Sequence, residues 1–378
     1  MTSEEYRSAS LDVVYLAACA VNGQVPDAAR VRQMDLENLY KAADRHLLTG
    51  ITAMALESAG VKDAAFTQAK GKAIRKVAAF DVERAAVLER LENAGIWYMP
   101  LKGSVLKDLY PRIGMRQMAD NDILFDDART PEVRAIMEDL GFSTDESFGR
   151  SVHDHYFKAP VCNFEMHRAL FGKSHDERLS AYYQDVKPRL IQNEGSTCGY
   201  QFSDEDFYVY MLAHEYKHYT GSGTGLRSVL DTYVYLTQKS STLDWTYLAE
   251  ELHKLGIADF EAQNRSLAMH LFGGEALTAP DQDMLDYILS SGTYGTVQNR
   301  VKNQVRSYGG GPVGKLRYAC SRIVLPMDTV RSAFPQFANH PILLPFLPGY
   351  RLYRSLAERR GNVGAELRTL TNSKRDYR

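Results

Sequence analysis

The chain has 378 residues, 44% of them hydrophobic, which is enough for two or three domains with separate cores. Its 45 Lys and Arg against 47 Asp and Glu leave no global basic field that would argue for non-specific nucleic-acid or membrane binding, so an anionic ligand must be held locally. The four cysteines, Cys19, Cys162, Cys198 and Cys320, are scattered without a CxxC pair; this argues against a zinc ribbon or disulfide framework and fits reduced thiols in a cytoplasm.

The N-terminal stretch carries an apolar run of about ten residues preceded by acidic ones, the pattern of an amphipathic helix rather than a signal peptide. No segment reaches the ~18 apolar residues of a membrane span, so a soluble, cytoplasmic protein with no membrane partner is expected. From Leu11 to Leu56 apolar residues recur every three or four positions, as at Leu36, Leu39, Tyr40, Ala43 and Leu47, which predicts short helices. A longer helix is predicted over Ala64 to Asn93, stopped by Gly95.

The period then changes. Ile96 to Leu101 is a short apolar run between Gly95 and Gly103, as expected of a buried strand entering a tight turn. A helix from Ser104 to Tyr110 should end at Pro111, and Asp122 to Phe125 reads as the next strand. Thr130 is placed to cap a helix opening with Pro131 and stopping at Gly141. Ser151 to Lys158 and Val161 to His167 read as two further strands separated by Ala159-Pro160. Beyond the cap at Ser203, helical spacing returns over Phe207 to Tyr219, Leu226 to Leu236 and Trp245 to Leu255. The Gly-rich Tyr308 to Pro312 and the Pro-rich Phe334 to Pro348 read as loops between C-terminal helices. The expected fold is α+β and mostly helical: a helical segment over 1–94, a small mixed-sheet α/β core over 95–175, and a helical domain over 176–378.

The chemistry gathers in the middle segment. Leu101-Lys102-Gly103-Ser104 is followed sixteen residues later by Asp120-Asn121-Asp122. Residues two apart on a strand share a face, so Asp120 and Asp122 should project together and could hold Mg²⁺, which takes oxygen ligands and is completed by water and phosphate. A second cation would need a further acid from a neighbouring strand, and Glu165 is the choice. Gly103 would let phosphates approach the backbone at a helix start, with Lys102 supplying charge. Taken singly, such an Asp pair is more often a turn and such a lysine an ordinary strand end.

These residues resemble the nucleotidyltransferase superfamily and, more narrowly, a bacterial family of uncharacterised nucleotidyltransferases. The resemblance is carried by Lys102-Gly103-Ser104, Tyr110-Pro111, Gly114-Met115-Arg116 and Asp120-Asn121-Asp122-Ile123-Leu124. It extends through Glu165-Met166-His167-Arg168, His214 with Lys217-His218, Gly225-Leu226-Arg227, Asp231 and Pro341 to Pro345. Asn121 stands where the family usually has an apolar residue. The resemblance implies attack of an acceptor on the α-phosphorus of an NTP such as ATP, with pyrophosphate leaving and Mg²⁺ or Mn²⁺ as cofactor. It implies Asp120, Asp122 and Glu165 as catalytic metal ligands and Lys102, Gly103, Ser104 and Arg116 as phosphate contacts; His167, His214, His218, Arg227 and Asp231 are read as lining an acceptor pocket opposite the carboxylates. The acceptor could be a small molecule, an RNA or a protein.

Two other motifs compete. His214-Glu215-Tyr216-Lys217-His218 matches the HExxH pattern of zinc hydrolases, but Lys217 puts a cation beside the proposed metal and no third ligand follows at a familiar spacing. The same residues could instead tie helices together. Gly309 to Lys315 imitates a phosphate loop but has Leu316 where Ser or Thr is required. A nucleotide-binding protein without catalysis and a zinc metallohydrolase using His214, Glu215 and His218 are therefore the alternatives. The 23 tyrosines, with a cluster at Tyr208, Tyr210, Tyr216 and Tyr219, are accounted for by packing and could also stack on a base.

Overall fold

A computed structural model describes residues 1–378 except 146, 147, 150, 173–175, 326, 359–363, 367 and 371–378. The chain forms two compact units, one of residues 1–217 with 225–293 and one of 218–224 with 294–378.

The first unit opens with helices α1 (Ser3–Val21), α2 (Ala28–Arg32), α3 (Leu36–Arg45), α4 (Thr49–Ser58) and α5 (Ala64–Asn93). α1 packs on α3 and α4, and α4 on α5. Asp63 caps α5 by accepting from Phe66 N at 3.0 Å, and Gly95, at φ +66°, turns the chain out of it. The long helix therefore has the bounds its spacing predicts.

Strands β1 (Tyr98–Pro100), β2 (Asn121–Phe125), β3 (Ser143–Thr144), β4 (His153–Lys158) and β5 (Cys162–His167) make one sheet in the order β1-β2-β5-β4-β3. Only β2 and β5 run parallel; the other pairs are antiparallel, so the sheet is mixed. Between β1 and β2 lie α6 (Gly103–Leu106) and a 3₁₀ turn over Lys107–Leu109, a shorter helix than the one expected up to Tyr110. α7 (Thr130–Asp139) follows β2. Thr130 is its first residue rather than its cap, because a 3₁₀ turn over Asp127–Arg129 leads in and the Thr130 hydroxyl donates back to Asp127 O at 2.7 Å.

One face of the sheet is apolar. Ile123, Phe125, Tyr156, Phe164 and Met166 pack against Phe80, Val87 and Leu91 of α5 and Val133, Ile136 and Met137 of α7. The unit continues through α8 (Glu177–Tyr182), a two-stranded ribbon of β6 (Ile191–Gln192) and β7 (Tyr200–Gln201), and α9 (Asp204–Gly221), whose final residues group with the second unit. Ser203 Oγ accepts from Asp206 N at 3.1 Å, the cap expected at that serine. α10 (Leu226–Lys239), α11 (Trp245–Leu255), α12 (Ala258–Gly273) and α13 (Ala279–Ser291) complete it.

The second unit holds α14 (Val297–Ser307), α15 (Gly311–Ile323), α16 (Met327–Ala333), α17 (Pro335–Ala338) and α18 (Leu347–Glu358), with a 3₁₀ stretch over Pro341–Phe346. The Pro-rich region is thus a series of short helical turns instead of a loop. Pro335 and Pro341 sit at the opening positions of their turns, where the missing N–H costs nothing, while Pro345 lies inside the 3₁₀ stretch. The Gly-rich segment leads directly into α15, with no strand before it. No helix among the described residues is long and apolar enough to cross a membrane.

Candidate active site

The second face of the sheet is polar, and strand register explains why. Asp122 of β2 lies opposite Glu165 of β5, which lies opposite His155 of β4; one step along, His167 lies opposite His153. With a side-chain period of two, these five residues project from the same face. Asp120 stands two residues before Asp122, just outside β2. Its loop is anchored: Gln117 Oε1 accepts from Gly50 N at 2.9 Å, and Lys76 Nζ donates to Ala119 O at 2.8 Å.

Lys102 closes the opposite side. Its backbone takes φ +46° with ψ −111°, a rare conformation for a residue with a Cβ and one that stores strain. From that turn its ammonium donates to Asp122 Oδ1 at 2.8 Å. Gly103 is required beside it, since a Cβ there would lie 2.5 Å from Arg116 Nη1. The close neighbour of Gly103 is thus the Arg116 guanidinium. The Ser104 hydroxyl is turned to Leu101 O at 2.7 Å and is buried.

Charge is unevenly shared in this cluster. Asp122 is buried, which alone would favour its neutral acid, but Lys102 and a 2.8 Å contact with His167 Nε2 hold it firmly ionised. Burial also works against the charge on Lys102, yet Asp122 and Asp120 hold it protonated. Asp120 has no such direct partner: burial and repulsion from Asp122 and Glu165 push its acid up to about 7, against the pull of Lys102 and Arg227. Glu165 is half-buried and lies 3.5 Å from His167 Nε2, which outweighs desolvation and keeps its acid below the usual range. His167 is desolvated but held toward its charged form by Asp122 and Glu165.

Helix α9 covers this face. Tyr210 and Lys217 both feel the charges of Lys102, Asp122 and Glu165, and His214 lies between them on the same helical stripe. The Tyr210 hydroxyl and His167 Nδ1 are buried without hydrogen-bond partners. Glu215 points elsewhere. It is buried near Asn264 of α12, and that desolvation raises its acid to about 8. Among the described residues the one group of three side chains whose ligand atoms already lie within 4.8 Å of one another is His153, Glu165 and His167; the HExxH residues form no such group, and Asp120 and Asp122 would have to draw toward Glu165 to join it on a cation.

The other predicted residues divide. Arg227 donates to Gln117 O at 3.0 Å and lies within electrostatic reach of Asp120. Arg116 and Asp231 are engaged with each other: Nε and Nη2 of the arginine reach the two carboxylate oxygens at 2.8 and 2.9 Å, and Tyr110 adds a hydrogen bond at 2.7 Å. His218 is exposed at the last turn of α9, in the second unit. The sequence reasoning passed over His153 and His155, although a His-x-His in a predicted strand places both on one face. Lys76 also escaped it, and Tyr210 and Lys217 were singled out without a place in the site, because helical spacing carries no signal of what a residue faces. Asn121, the polar residue on the apolar face, is buried and accepts from Arg84 Nη1 of α5 at 3.0 Å.

A mixed sheet with acids and a lysine-bearing turn on one face is an arrangement that can hold an anionic ligand and a cation, and the class of the protein, a transferase of phosphorus-containing groups, comes from its family. A family model described as uncharacterised nucleotidyltransferase matches residues 32–273, and the chain belongs to that family. Neither a curated relative nor a solved structure matches the chain.

Proposed function

We propose that the protein transfers a nucleoside monophosphate from an NTP to an acceptor, with Mg²⁺ at Asp120, Asp122 and Glu165. The observation that carries this reading is the register Asp122–Glu165 on adjacent parallel strands, beside Asp120 and the Lys102 turn. The donor set fits a hard divalent cation. All three groups are carboxylates, and the burial and mutual repulsion that raise the acid of Asp120 are what a bound cation relieves. When bound, the cation supplies stabilisation for charge developing on the attacking and leaving oxygens.

The chain's own groups do the rest. Lys102, fixed in its charged form, lies against the phosphates, and Arg227 and Lys76 supply further positive charge near Asp120. The acceptor oxygen forms a bond to the α-phosphorus, the bond from that phosphorus to the pyrophosphate oxygen breaks, and the acceptor proton passes to the carboxylate cluster. Tyr210, His214 and Lys217 on α9 orient the acceptor. Arg116 and Asp231 hold the Gly103 turn from beneath instead of meeting phosphate. Free Cys19, Cys162, Cys198 and Cys320 fit action in a reducing cytoplasm.

Calorimetric titration of the four NTPs with Mg²⁺ tests this reading. Metal-dependent binding is expected in the wild type and lost in the Asp120→Asn/Asp122→Asn variant; absence of binding by the folded wild-type protein overturns it.

A further inference from the structure

The site contains more nitrogen than an Mg²⁺ centre uses. His153 and His167 face each other across β4 and β5, with ring centroids 4.9 Å apart. Glu165 Oε2 lies 3.7 Å from His153 Nε2 and 3.5 Å from His167 Nε2, and His155 Nδ1 lies 3.7 Å from Oε1. The two 3.7 Å separations exceed hydrogen bonds and the 3.5 Å one is at their limit, so three imidazoles surround one carboxylate that only His167 approaches closely enough to bond. His167 is buried, oriented by Asp122 through Nε2, and its Nδ1 is left without a partner.

We propose that His153, Glu165 and His167 form a binding site for a first-row transition cation of the Mn²⁺ or Zn²⁺ class, beside the all-oxygen position at Asp120 and Asp122, with the Glu165 carboxylate shared between the two positions. Imidazole nitrogen favours such cations, whereas Mg²⁺ takes oxygen. Bond lengths of about 2.0–2.2 Å require the ligand atoms to draw together from their present span, which side-chain rotation on two paired strands allows. The location of this site beside a transfer centre rests on the reading above; the binding itself does not.

Co²⁺ is the probe, added to the metal-free full-length protein and followed by visible absorption. A band saturating at one equivalent is expected, unaffected by an equal concentration of Mg²⁺, with affinity reduced about tenfold or more in His153→Ala and unchanged in His253→Ala, an exposed histidine of α11. If His153→Ala lacks the wild-type circular dichroism, His153→Gln is read in its place. No band, displacement by equimolar Mg²⁺, or equal affinity in the folded His153 variant overturns the proposal. Co²⁺ binding without Mg²⁺-dependent NTP binding removes the transfer reading alone; NTP binding without a Co²⁺ band removes this one alone.

Discussion

The two faces of the five-stranded sheet are made by alternate residues of the same strands, yet they serve opposite ends. Ile123, Phe164 and Met166 are fully buried against α5 and α7, while their neighbours Asp122, Glu165 and His167 put acids and an imidazole under α9. Apolar burial stabilises at about 25 cal/mol per Å², but the polar face accumulates desolvated charge that folding does not reward. A protein keeps such a face for what it binds.

Breaking the apolar face should have the largest effect on stability. Phe164→Ala removes an aromatic ring that meets Phe142 edge-on at 5.0 Å between centroids, and is expected to lower unfolding free energy by about 3–5 kcal/mol in urea titrations. The fraction remaining folded should still bind Mg²⁺–NTP. Asp122→Asn is the mirror experiment: its melting temperature should shift less than that of Phe164→Ala, while transfer falls about a hundredfold to a thousandfold. If Asp122→Asn unfolds the chain and Phe164→Ala does not, the division of labour between the faces is wrong.

Asn121 sharpens the comparison, because it is the polar residue on the apolar face. Arg84→Met leaves its buried amide oxygen unpaired and should cost about 1–3 kcal/mol. Pairing it with Asn121→Leu should recover most of that loss, since replacing both partners by apolar groups removes the unmet polar atom. A double variant no more stable than Arg84→Met would mean that the pair has another role.

Much of this was legible in the sequence where the signal is local. The helix over Ala64–Asn93 and that over Trp245–Leu255 follow from spacing and from Gly95 and Gly256 at their ends. The period of two puts Asp122 on the face where Glu165 of the later strand lies opposite it, while Asp120, just before β2, comes within electrostatic reach of both. What could not be read depends on pairing between distant segments. Arg116 meets Asp231 across 115 positions, and β3 is a two-residue edge strand with no pattern to detect. The histidines of β4 gather round Glu165 because β4 pairs with β5 in that register, a fact of tertiary structure.

Glu215 provides the smallest and most specific test, on a residue the HExxH pattern would make a catalytic base. In the native state its acid is pushed up to about 8 by burial near Asn264, far above the ordinary glutamate value of 4.5. Below pH 4.5 both native and unfolded chains hold this proton. Between there and about 8 the unfolded chain releases it while the native one keeps it, so this group makes stability fall as pH rises, by about 1.4 kcal/mol per unit, levelling off above about 8. Glu215→Gln keeps the shape of the protonated acid and cannot titrate. The wild type should therefore lose stability relative to Glu215→Gln between pH 6 and 7, measured by urea unfolding, while nucleotidyl transfer stays within about twofold. Loss of transfer in Glu215→Gln with its stability intact would return the chemistry to α9 and to a zinc centre; a difference in stability with no change in transfer leaves it on the polar face of the sheet.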